Sequence, residues 1–131
     1  MSEGPAKNWL ALGRVDEIAP KTATHFDTPV GGVGIFHMAD GRLFAIEDRC
    51  PHAYALLSFG LMDQAKDTVL CPLHGWRIGL ADGQIQFPAQ TGMSVCTFPV
   101  RVSAGLIEVN IAGCAKAPNS GDGAAAANSL N

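Results

Sequence analysis

Two short mixed pairs of metal-binding side chains constrain this chain more than anything else in it. Cys50-Pro51-His52 and Cys71-Pro72-Leu73-His74 each place a thiol close to an imidazole, and eighteen residues separate His52 from Cys71. Neither pair completes a coordination sphere alone, so the fold has to bring two loops side by side. The prolines fix φ directly after each cysteine and remove a backbone donor, which suits a tight loop. Gly75, immediately after His74, gives the backbone room to turn close to a metal.

Two kinds of centre use two cysteines and two histidines. Structural zinc usually pairs its ligands as Cys-x2–4-Cys and His-x3–5-His. The one-residue gap between Cys50 and His52 fits that spacing poorly, and one ion would have to gather both mixed pairs. A 2Fe–2S cluster with cysteines on one iron and histidines on the other takes one of each from both loops. Cys50 and Cys71 then share one iron, and His52 and His74 share the second. Coincidence, meaning buried thiols and surface histidines, explains one such residue more easily than two mixed pairs in one short segment. The cluster is the favoured reading, with zinc as its competitor.

The other two cysteines, Cys96 and Cys114, have no histidine nearby. The segment Met1-Ser2-Glu3-Gly4-Pro5 lacks the charged-then-apolar layout of a secretion signal and carries no twin arginine. The chain therefore reads as cytoplasmic, where thiols are kept reduced, and no disulfide is expected. Cys96 is expected to be a small, half-buried, inert thiol, and Cys114 an exposed one. A net charge of -3 without any basic block argues against nucleic acid as a partner. No apolar stretch is long enough to span a bilayer, so no membrane contact is expected.

The 131 residues suffice for one domain with a core. Between polar ends the pattern is short strands and turn signals, with no long helical stripe. Trp9 to Leu12 opens the series. Val33 to Met38 and Arg42 to Glu47 flank Asp40-Gly41, and Arg77 to Leu80 and Gln84 to Phe87 flank Asp82-Gly83. Cys96 to Val102 and Leu106 to Val109 flank Ala104-Gly105, and Ile107, Val109 and Ile111 alternate with polar neighbours. Only Leu56 to Gln64 is expected to hold a helical turn. Residues 1–8 are expected to fray, and 112–131, rich in Ala, Gly, Asn and Ser, to form a flexible tail.

The Cys-Pro-His and Cys-Pro-x-His-Gly-Trp boxes, with Leu57-Ser58-x-Gly60 after the first, resemble those of the Rieske ferredoxin-like superfamily. The resemblance covers about residues 9–111. It implies an all-β fold, a Rieske-type antiparallel β sandwich with a small cluster-binding subdomain, here about 47–88, whose ligands lie on two loops. It implies one Rieske 2Fe–2S cluster on Cys50, His52, Cys71 and His74, electron transfer without a catalytic acid, base or nucleophile, and a histidine edge near solvent. With the second ring nitrogens exposed, reduction is expected to couple to proton uptake at alkaline pH.

Within the superfamily, the respiratory-complex proteins carry an extra cysteine in each box. Here Leu73 and the residues near Ala55 offer no thiol. Those high-potential proteins also place a serine and a tyrosine where this chain has Trp76 and Ile78, which implies fewer donors to the sulfurs and a low potential. Ile35 to His52, Cys71 to Trp76 and Cys96 to Val102 resemble the small subunit of assimilatory NAD(P)H-dependent nitrite reductase. Thr97-Phe98-Pro99-Val100-Arg101-Val102 and Trp76-x-Ile78-x-Leu80 favour that subunit, whose partner is a large subunit with flavin and sirohaem. The alternative is the ferredoxin component of a ring-hydroxylating dioxygenase, partnered by an oxygenase and its reductase. A third reading is a cluster-free assembly module. Tyr54 is expected to pack over the first loop, Trp76 and Phe59 to cover the cluster, and His25 and His37 to be ordinary strand or surface histidines.

Overall fold

The computed structural model describes residues 9–51, 55–73, 75–88 and 91–114. His52, Tyr54 and His74 fall outside the described residues, as do the N-terminal segment 1–8 and the tail from residue 115. The described chain is almost entirely strand and turn, which bears out the all-β, antiparallel, Rieske-type expectation.

Three antiparallel sheets make up the structure. The first is β1 (Trp9–Arg14), β11 (Leu106–Asn110) and β10 (Val100–Ser103), in that order. The second runs β2 (Thr22–Thr28), β3 (Gly31–His37), β4 (Leu43–Glu47) and β9 (Thr97–Phe98). The third runs β5 (Leu61–Asp63), β6 (Thr68–Leu70), β7 (Arg77–Gly79) and β8 (Ile85–Phe87).

The second sheet is buried on both sides, and strand alternation shows how. Successive side chains point to opposite faces. Ile35 and Ala45 enter one apolar cluster with Ile107 and Val109 of the first sheet. Their neighbours Phe36 and Ile46 enter another, with Val69 and Ile78 of the third sheet. β3 therefore reads as a nearly continuous apolar run, whereas β11, covered on one face, alternates cleanly. Cys50 and Cys71 belong to the cluster shared with the third sheet.

The turn signals act as expected. Ala104 and Gly105 both take positive φ, +53° and +80°, the pattern of the tight hairpin that joins β10 to β11. Leu56 to Gln64 does contain a single turn, a 3-10 turn at Leu57–Phe59, but the chain then runs straight into β5. β2 and β6 were not foreseen. β2 is an edge strand paired with β3 alone, and its Thr-Ala-Thr-His-Phe-Asp-Thr sequence lacks a clean apolar face.

One expectation is overturned. Cys96 and Cys114 form a disulfide, with Cα atoms 5.1 Å apart. After β11 the chain turns back, with Gly113 N–H bonded to Asn110 C=O at 3.0 Å, and delivers Cys114 beside the start of β9. Sequence separation hid this contact, because two residues eighteen apart became neighbours through strand pairing. Among the described residues no helix is long and apolar enough to cross a membrane.

Candidate metal centre

Cys50 follows β4, and Cys71 follows β6. Both are essentially buried, at 0% and 3% exposure, and neither forms a disulfide. The two loops they open are closed by equivalent backbone bonds. Cys50 N–H donates to Ala55 C=O at 2.8 Å, and Cys71 N–H donates to Trp76 C=O at 2.7 Å. Each bond closes a loop to the fifth residue after its cysteine. Within those equal frames the histidine comes second in one loop and third in the other. The second loop has an extra tie, Gly75 N–H to Cys71 C=O at 3.1 Å, with Gly75 at φ +74°. That left-handed turn is why a glycine stands beside His74.

Behind the first loop lies a buried carboxylate. Asp48 is 2% exposed, two residues before Cys50. Its N–H donates to Gly32 C=O at 3.0 Å. One carboxylate oxygen accepts from Ser58 N–H at 2.7 Å, and the other accepts from Ser58 Oγ–H at 2.6 Å and faces His25 Nδ1 at 2.6 Å. His25 Nε2 in turn faces Asp27 Oδ1 at 2.9 Å. Burial pulls the His25 pKa down, but the hydrogen bonds to Asp48 and Asp27 outweigh it and the net shift is upward. Glu47 ties the same segment to the residue just before β9, donating its N–H to Cys96 C=O at 2.8 Å and accepting from Cys96 N–H at 3.0 Å.

Of the four sequence-predicted ligands, the structure places Cys50 and Cys71 in one apolar cluster at the heads of matching loops. His52 and His74 lie outside the described residues, and among the described residues no group of three or more His, Cys, Asp or Glu converges on a metal position. Trp76 is half-buried and packs on the cluster that holds both cysteines. Phe59 is 75% exposed on the short 3-10 turn and lines a depression together with Cys71 and Pro72. Leu61, also well exposed, lines the same depression, and Leu73 is exposed within the second loop. Sequence reading took His25 for an ordinary histidine, gave Asp48 no role, and met Ser58 only within the Leu57-Ser58-x-Gly60 motif. The available signal was Gly32 and Gly34 inside a strand, which marks a close approach by another group.

The residues fit a cluster. Two thiols kept out of disulfides, buried in the same apolar cluster and each heading a loop closed by a bond to the fifth residue on, are a donor set that a mononuclear surface site does not require. Comparison with known proteins agrees, because residues 8–110 match the model of the Rieske-like 2Fe–2S domain. This chain belongs to that family.

The anthranilate 1,2-dioxygenase ferredoxin subunit of Burkholderia cepacia is 31% identical over 111 residues, which are 85% of this chain and 99% of that subunit. Among solved structures, the ferredoxin of carbazole 1,9a-dioxygenase from Nocardioides aromaticivorans IC177 superposes with a TM-score of 0.71 at 26% identity. That match covers 79% of this chain and 97% of the ferredoxin. A Mycobacterium tuberculosis protein described as an NADH-dependent nitrite reductase small subunit superposes with a TM-score of 0.69 at 25% identity, over 77% of this chain and 92% of that one. This Rieske protein is accordingly a 2Fe–2S electron-transfer protein.

Proposed function

We propose that this Rieske protein is the ferredoxin component of an oxygenase system, taking single electrons from a reductase and handing them to a terminal oxygenase. The observation that carries this reading is the match to essentially the whole length of a dioxygenase ferredoxin subunit at 31% identity. Part of the sequence pattern that favoured a nitrite reductase small subunit lies in the core. Ile78, Leu80 and Phe98 are all buried core residues. Positions of that kind report the shared fold and not the partner. The nitrite reductase reading, with a flavin and sirohaem large subunit, keeps the support of the Mycobacterium structure and is the second reading.

In either system Cys50 and Cys71 would hold one iron and His52 and His74 the other, within a ligand-bearing segment of about residues 47–88 set in a domain of about 9–111. When bound, the cluster supplies one-electron storage. The chain's own residues do the rest. Burial of both cysteines keeps water from the sulfurs and helps set the potential. The exposed Phe59 and Leu61, which line a depression with Cys71 and Pro72, give the partner an apolar face beside the second loop. Residence in the cytoplasm belongs to the same proposal, and there the Cys96–Cys114 bond meets reducing conditions.

The test is anaerobic affinity capture of the holoprotein's partner, followed by two assays. Capture of an oxygenase or its reductase, with electron delivery to it, upholds the ferredoxin reading. A captured partner that reduces nitrite with NAD(P)H replaces it with the second. The ligand set is tested separately by Cys50→Ser, Cys71→Ser, His52→Ala and His74→Ala, each expected to abolish the visible absorption of the cluster. A variant that keeps an unchanged spectrum removes that residue from the set. A colourless, iron-free native protein makes the chain an assembly module.

A further inference from the structure

We infer that His25 is a positioning residue for the cluster: through the buried carboxylate of Asp48 it locks the loop that opens at Cys50.

The arrangement is specific. Asp48 leads directly into the loop, and Ser58 follows it on the 3-10 turn Leu57–Phe59. The carboxylate bonded to both Ser58 N–H and Ser58 Oγ–H therefore fastens the two ends of the segment that carries Cys50. His25 is the outer member of the clamp. It comes from β2, remote in sequence, and its Nδ1 lies 2.6 Å from the same carboxylate oxygen that Ser58 Oγ–H reaches.

Strand β3 is cut to fit this pair. A Cβ on Gly32 would collide with the His25 ring. A Cβ on Gly34 would lie 3.2 Å from the Asp48 carboxyl carbon and 3.0 Å from Phe36 Cε1. Glycine inside a strand costs stability relative to a residue with a side chain. Two of them in alternate positions, both beneath the same ion pair, leave a lane for it between β2 and the ligand loop.

Both ring nitrogens of His25 face carboxylates, Asp48 on one side and Asp27 on the other. A neutral imidazole donates through only one nitrogen, whereas the imidazolium donates through both. These two aspartates, one from its own strand and one from the segment after β4, are the titratable groups bonded to the ring, and the glycines of β3 beneath it carry no side chain. The charged form is thus the one the site is built around, in keeping with the raised His25 pKa. The clamp is tightest while His25 is protonated and slackens as the proton leaves.

The inference rests on Cys50 as a cluster ligand, which the Cys50→Ser spectrum decides independently. The experiment on His25 measures how fast the holoprotein releases iron to a chelator, for the native chain, His25→Ala, His25→Asn and the control His37→Gln, between about pH 6 and pH 8.5. Asparagine reproduces the Nδ1–H donor to Asp48 but carries no charge and cannot titrate. Near pH 6 the alanine variant is expected to release iron roughly tenfold faster than the native chain, since it loses a charge-assisted hydrogen bond. The asparagine variant is expected to recover part of that loss. The ratio of the asparagine to the native rate is expected to fall toward one as pH rises, and the control to stay at the native rate throughout. Alanine and asparagine variants that release iron at the native rate across the whole range overturn the inference. So does an asparagine-to-native ratio that does not change with pH. Should the alanine variant fail to take up a cluster, the asparagine ratio and Ser58→Ala decide in the same way.

Discussion

The two ligand loops have the same closing hydrogen bond and the same buried cysteine at the head, but they are secured by different means. The loop at Cys50 is fastened from behind by side chains: Asp48 at one end of the segment accepts two hydrogen bonds from Ser58 at the other, and His25 adds a clamp from β2. The loop at Cys71 is fastened by its own backbone, through the left-handed Gly75 and the bond from Gly75 N–H to Cys71 C=O. The first sits against charged groups and responds to protonation. The second sits beside the exposed Phe59 and Leu61, which line a depression with Cys71 and Pro72, and responds to steric change. On the proposed ligand set, one cluster would be held by a side that is electrostatically tunable and a side that is geometrically fixed.

The largest test of that contrast is Asp48→Ala. It removes an acceptor shared by Ser58 N–H, Ser58 Oγ–H and His25, two of those groups being buried, and is expected to destabilise the protein by about 3 kcal/mol. Hydrogen exchange should rise at the Cys50 amide, which closes the first loop, and stay unchanged at the Cys71 amide. Equal loss of protection in both loops would mean that they are secured as one unit, and the contrast would fail.

Gly60→Ala should do the reverse with a smaller effect. Gly60 has ordinary φ, so the penalty comes from space and not from backbone strain. Its new methyl would run into the Leu70 carbonyl oxygen and Val69 Cγ2, in the strand that leads to Cys71. Overpacking of this kind costs about 1–3 kcal/mol. Exchange is expected to increase at Cys71 and not at Cys50, with a matching change in the visible circular dichroism of the cluster. A silent substitution would show that β6 yields easily and that the second loop is less rigid than its backbone bonds imply.

The cluster side of this contrast was more legible in the sequence than its supports. The ligand boxes announce themselves because few residue types bind iron and their spacing is short. The hairpins at Asp40-Gly41, Asp82-Gly83 and Ala104-Gly105 were legible because positive φ selects so few residues. The supports were hidden because they join distant parts of the chain. His25 reaches Asp48 across twenty-three positions, and Cys96 reaches Cys114 only after β9, β10 and β11 have folded back. A histidine or cysteine alone carries no mark of such a partner. Gly32 and Gly34 did carry one, since glycines that weaken a strand call for something that needs their space. β2 was missed for a related reason: His25 and Asp27 interrupt its apolar pattern, and both are in the site.

The smallest effect concerns pH, and its sign separates the two loops most cleanly. His25 has its pKa raised in the folded protein above the ordinary value of about 6.5. A base whose folded pKa exceeds its unfolded one stabilises the fold fully below the unfolded value. That contribution is lost as pH rises through the folded value. The native protein should therefore lose stability relative to His25→Asn as pH climbs from about 6 into the range just above it, and the difference should level off at higher pH. The ring is partly exposed and Asp27 is exposed, so the change is expected to stay below about 1 kcal/mol and to shrink in high salt. Melting temperatures of the two proteins at a fixed heating rate, across that range, measure it. If the first loop depends on a charged clamp and the second on backbone geometry, exchange at the Cys50 amide will follow this curve while exchange at the Cys71 amide, corrected for its intrinsic pH dependence, will not. A melting difference that is constant with pH would mean that the proton on His25 contributes nothing to the clamp, and that both loops are held by geometry alone.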